Sequence, residues 1–118
     1  MDVNEFILAL CNASKNITTL YDGDNSWYSS LPYCFLEDVV SNVIINTSDD
    51  LERKRIFNVI KEYFQKYNNN NDVKTLIGVG IIEPIYFTCG YSFFEKYQHM
   101  MSEELINMAK NLENYYNS

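Results

Sequence analysis

Apolar residues recur along most of the chain at intervals of three and four, the spacing that gathers them on one face of an α-helix. Val3 to Ala13 carries Phe6, Ile7, Leu10 and Cys11 in that register, with Asn4 and Glu5 suited to a first turn, and predicts a short helix. Ser14 to Ser30 is rich in Asn, Asp, Gly and Ser, which predicts turns and loops interrupted by Trp27 and Tyr28. Leu31-Pro32 opens the next helix, because proline is tolerated in a first turn, where its missing N–H has no partner. From Tyr33 to Ile45 the stripe is Phe35, Leu36, Val39, Val40, Val43 and Ile44, with Glu37, Asp38, Ser41 and Asn42 off it.

Thr47-Ser48-Asp49-Asp50 supplies a capping hydroxyl and carboxylates suited to the positive end of a helix dipole. The helix that follows carries Ile56, Val59, Ile60, Tyr63, Phe64 and Tyr67 on one face. Glu52, Arg53, Lys54, Lys61, Glu62 and Lys66 fall largely outside it, and the Asn tract from Asn68 ends it. Val73 to Ile85 is apolar on nearly every face and predicts a central, surrounded helix. Gly78 and Gly80 would allow a neighbour close, at about 1 kcal/mol of helix propensity each. Pro84 is expected to kink or end this helix. A buried strand over Thr75 to Ile82 is the alternative, ranked second because no hairpin partner lies nearby. Gly90 to Tyr97 predicts a short helix, and Ser102-Glu103-Glu104 caps a last one through Leu105, Ala109, Leu112 and Tyr116. Together these make an all-α fold, a single compact domain of five or six helices over residues 1–118.

Composition narrows the function. The 118 residues hold 9 basic and 16 acidic side chains, a formal charge of -7, which argues against nucleic-acid binding because phosphates require a basic stripe. Four glycines and two prolines are too few for a many-stranded sandwich or barrel. No apolar run approaches the roughly 18 residues of a membrane span, so no membrane partner is expected. Met1-Asp2-Val3-Asn4-Glu5 is acidic where a secretory signal is basic. Cys11, Cys34 and Cys89 are odd in number and set among apolar residues, as in a reducing compartment, so the expected location is cytoplasmic.

Candidate chemistry is sparse. His99 is the only histidine, so any Cys-His mechanism with Cys34 or Cys89 must run through it, and nothing around it resembles a nucleophile motif. Three isolated cysteines and one histidine do not make a zinc site. Asp22-Gly23-Asp24-Asn25-Ser26-Trp27 begins like a calcium loop, but Trp27 stands where glycine is required and Tyr33 where the bidentate glutamate belongs. Gly78-Val79-Gly80 lacks the third glycine of a dinucleotide fingerprint. No cofactor or metal is therefore expected, nor a catalytic residue. Arg53-Lys54-Arg55 reads as a solvated face offset by Asp49 and Glu52. Glu83 breaks the most apolar segment, and its carboxylate must reach solvent, a donor or a partner. Asp22, Asp24, Glu37 and Asp38, interleaved with Trp27, Tyr28 and Tyr33, form an acidic–aromatic cluster. Such a cluster suits a protein interface, the rings as anchors and the carboxylates steering a basic partner.

Leu31-Pro32-Tyr33-Cys34-Phe35-Leu36-Glu37-Asp38 opening one helix, Leu51 to Ile60 forming the next and the apolar helix reaching Ile82-Glu83 give a pattern over residues 31–85. In it the chain resembles the small acidic helical immunity proteins that accompany bacterial polymorphic and contact-dependent inhibition toxins. The resemblance implies a cytosolic, non-enzymatic protein specific for one toxin domain, often a nuclease and hence basic. It carries no site over residue by residue. The expected contact residues are Asp22, Asp24, Trp27, Tyr28, Glu37 and Asp38, with Glu83 and Glu95 beside them. A helical adaptor or regulatory subunit without a toxin partner is the alternative.

Overall fold

The computed structural model describes residues 3–21, 32–67 and 71–117. Among them the fold is all-α, with seven helices and no strand: α1 (Val3–Ala13), α2 (Lys15–Tyr21), α3 (32–46), α4 (Asp50–Lys66), α5 (71–89), α6 (Tyr91–Lys96) and α7 (Glu103–Tyr116). Thr75 to Ile82 is helical, so the strand alternative falls. One contiguous core draws on all seven, from Phe6 and Leu10 of α1 through Ile17, Phe35, Phe57, Ile81 and Phe94 to Leu105 and Ala109 of α7.

The seventh helix, beyond the five or six expected, is α2, where a loop was predicted. Ser14 makes the difference. Its hydroxyl is buried and accepts the Ile17 N–H at 3.1 Å, capping the new helix. Ile17 then enters the core, and Tyr21 meets Phe35 edge-on at 5.4 Å. Two other starts follow the expected chemistry: Asp49 accepts the Leu51 N–H at 2.9 Å and Ser102 that of Leu105 at 3.4 Å.

α5 packs against α3, α4, α6 and α7 and forms the centre of the fold. Both α3 and α5 contain one π-helical turn, at Leu36–Val40 and Gly78–Ile82, and the two turns lie against each other. Gly80 makes the contact possible, since a Cβ there would stand 2.9 Å from Leu36 Cδ1. Gly78 is different: its Cβ would meet only Met108 Cε, at 3.8 Å. Pro84 was expected to kink or end the helix, yet α5 continues to Cys89, with the proline in the first turn of the α-helical stretch that follows the π turn. Having no N–H, Pro84 offers nothing to the Gly80 carbonyl one turn back. Ser41 of α3 packs at this turn. Its buried hydroxyl lies 3.2 Å from Gly80 O and 3.0 Å from Leu36 O, so its one proton is within reach of a carbonyl on each helix.

Candidate partner-binding groove

The crossing of α3 and α5 leaves a groove of about 460 Å³ on the surface above the two π turns. From α3 it is lined by Glu37, Asp38, Ser41, Asn42 and Ile45, and from α5 by Val79, Glu83, Pro84, Phe87 and Thr88. The π turn of α3 holds Glu37 and Asp38 themselves, both exposed, while Leu36, Val39 and Val40 of the same turn are buried. On α5 the spacing of four aligns Val79, Glu83 and Phe87 along one ridge. Val79 is 47% and Phe87 58% exposed, and Glu83 is half-buried between them. Three acidic residues thus line one groove with two open apolar side chains, and among the described residues neither lysine nor arginine lines it.

The expected contact residues divide accordingly. Glu37, Asp38 and Glu83 all line it although the outermost two are 46 positions apart. Glu95 is exposed on α6 and does not line the groove. Asp22, Asp24, Trp27 and Tyr28 lie outside the described residues, as does the calcium-like segment that starts at Asp22. Val79 and Phe87 were missed. Val79 was expected inside a surrounded helix, but it lies within the π turn on the face of α5 left exposed between α3 and α7. The period of four from Val79 through Glu83 to Phe87 was the available signal.

A ridge of α5 shared with this groove borders a second one. Thr75, Gly78, Val79, Ile82 and Glu83 face Met108, Asn111 and Leu112 of α7 across about 300 Å³ of mostly apolar space. Beyond it, Phe87 meets Tyr116 edge-on at 5.2 Å, and the Tyr86 hydroxyl donates to Glu113 at 2.7 Å.

Of the basic triplet expected as a solvated face, Lys54 and Arg55 are exposed and Arg53 is not. Arg53 is 3% exposed and its guanidinium caps the end of α3, donating from Nε to Ile44 O at 2.8 Å and from Nη2 to Thr47 O. Asp50 pairs with Nη1, and the Tyr97 ring lies 4.3 Å from Cζ. Arg55 Nε donates to Ala13 O at 3.1 Å, and Lys54 is exposed. Glu52, 4% exposed, accepts from Ser14 at 2.9 Å, from Asn16 at 3.0 and 3.1 Å and from Thr47. These side chains satisfy backbone and hydroxyl groups where the α1–α2 and α3–α4 junctions meet. The physical reason is that helix ends leave carbonyls and N–H groups unpaired, and long charged side chains one turn away can reach them. Burial pushes the Glu52 carboxyl up, but the hydroxyls of Thr47 and Ser14 and the Asn16 amide together bring it below its ordinary value.

Elsewhere, burial raises the Cys89 thiol, the opposite of what an activated nucleophile requires. His99 is exposed in the 3₁₀ turn Gln98–Met100 between α6 and α7. Among the described residues no group of three His, Cys, Asp or Glu side chains is placed to hold a metal ion, and no helix is long and apolar enough to cross a membrane. No family model, curated protein or solved structure matches the chain.

Proposed function

We propose that the chain is a binding module whose α3–α5 groove receives a basic protein. Within that class we read it as an immunity protein that covers the active site or substrate groove of a cognate bacterial toxin domain. The observation that carries the reading is the groove itself. Glu37, Asp38 and Glu83 line it with no Lys or Arg among the described lining residues, beside the exposed Val79 and Phe87, on a chain of net charge -7. Carboxylates around apolar anchors are what an interface with a cationic partner requires, the charges steering encounter and the apolar groups holding the complex. A nuclease must present a basic surface to its substrate, and an acidic protein competes with phosphates for it.

Calorimetry of the chain with the C-terminal domain encoded by the adjacent upstream gene, at low and high salt, tests this. Nanomolar binding that weakens with salt is the expected result. Absence of binding, or binding to a host protein that is no toxin, would replace the immunity reading with that of a helical adaptor.

A further inference from the structure

We infer that the α5 ridge docks an arginine-bearing segment with apolar neighbours, the guanidinium entering the acidic groove and an adjacent apolar side chain resting against Met108 and Leu112. This deepens the reading above and rests on it for the identity of the partner, but not for the chemistry of the occupant. Two observations define that chemistry. On one flank of the ridge are Glu37, Asp38 and Glu83, with acceptors only at their tips and no lining cation. On the other is the mostly apolar space between Gly78, Ile82, Met108 and Leu112. Val79 and Glu83 belong to both flanks, so one ligand can engage the two together.

The choice of arginine over lysine follows from the groove walls. Ile45, Val79 and Pro84 are apolar and suit a methylene stem, and Phe87 presents an exposed ring on which a planar guanidinium can stack. A guanidinium also offers its donors in a fixed fork that matches carboxylates in pairs, whereas an ammonium is a more strongly hydrated point charge. The methionine on the apolar flank is a flexible side chain that adapts to an incoming apolar group.

The test uses the full chain and the capped peptide acetyl-Leu-Arg-Leu-Arg-amide, followed by amide shifts in ¹⁵N NMR spectra. Binding should move the signals of Glu37, Asp38, Val79, Glu83, Phe87 and Met108. It should weaken about tenfold when citrulline, neutral and nearly isosteric, replaces arginine, and less when lysine does. The combined variant Glu37→Gln, Asp38→Asn, Glu83→Gln should lose the response while its spectrum reports an intact fold. Glu103→Gln with Glu104→Gln should retain it. Shifts scattered over other acidic surfaces, no loss with citrulline, or no response at all would overturn the inference. A toxin domain that binds the wild type and the combined variant equally would remove the groove from the interface but leave the immunity reading. A peptide response without toxin binding would do the reverse.

Discussion

At the scale of single residues, identical side chains do different work within a few positions. Gly80 and Gly78 share one π turn, yet only Gly80 faces a wall, the Leu36 side chain within 3.0 Å of where its Cβ would be. Gly80→Ala should therefore cost about 1–3 kcal/mol through overpacking. Gly78→Ala should be neutral or stabilise by up to about 1 kcal/mol, since alanine is the better helix former and meets only an ordinary contact. Urea denaturation of the two variants decides it, and equal effects would show that the crossing is loose. Glu52 gives a second outcome. Its carboxyl ionises more readily folded than unfolded, so its contribution to stability is fully present above the ordinary value of 4.5 and is lost as pH falls through the lower, folded value. Glu52→Gln should be less stable than the wild type near neutral pH, with the gap narrowing below about pH 4.5, in thermal melts followed across that range. A gap independent of pH would mean that packing, not charge, is what Glu52 contributes.

At the scale of elements, period and caps made six helices legible: the stripe of α4, the Asp49 and Ser102 caps and the apolar run of α5 are all visible in the order of residues. α2 was hidden because only Ile17 and Tyr21 mark its buried side and the Ser14 cap lies inside a polar stretch. The π turns were hidden for another reason. They coincide with the meeting of Ser41 and Gly80 across 39 positions and of Leu36 and Gly80 across 44, and no local pattern reports that. The groove was half legible for the same cause: Glu37 and Asp38 stand out as a local acidic pair and Glu83 as a break in an apolar run, whereas their meeting on one groove is tertiary. The Ser41–Pro84 relation can be measured as a coupling. Ser41→Ala leaves Gly80 O without its hydroxyl donor and should cost about 1–3 kcal/mol. Pro84→Ala restores an N–H one turn away from that carbonyl, so Ser41→Ala should cost less in its background. A double-mutant cycle by denaturation gives the coupling, and strict additivity would mean that Ser41 serves Leu36 O alone.

At the scale of the whole molecule, the excess of negative charge and the groove should act on different rate constants. Long-range attraction depends on total charge more than on its placement, and it accelerates encounter with a basic partner. Contacts inside the complex depend on placement and set how long it lasts. Two variants of equal net charge separate these effects. One neutralises Glu37, Asp38 and Glu83, which line the groove, and the other neutralises Glu62, Glu103 and Glu104, which are exposed elsewhere. Stopped-flow association with the partner proposed above, at low salt, should slow by similar factors in both. Dissociation should accelerate only in the groove variant, by about tenfold or more if even one charge-assisted contact of about 1.4 kcal/mol is lost. Raising the salt should erase the shared difference in association and leave the difference in dissociation, because charges enclosed in a complex are screened far less than exposed ones. Equal dissociation rates in the two variants would reduce the acidic character to general steering and place the interface on another face of the helical domain.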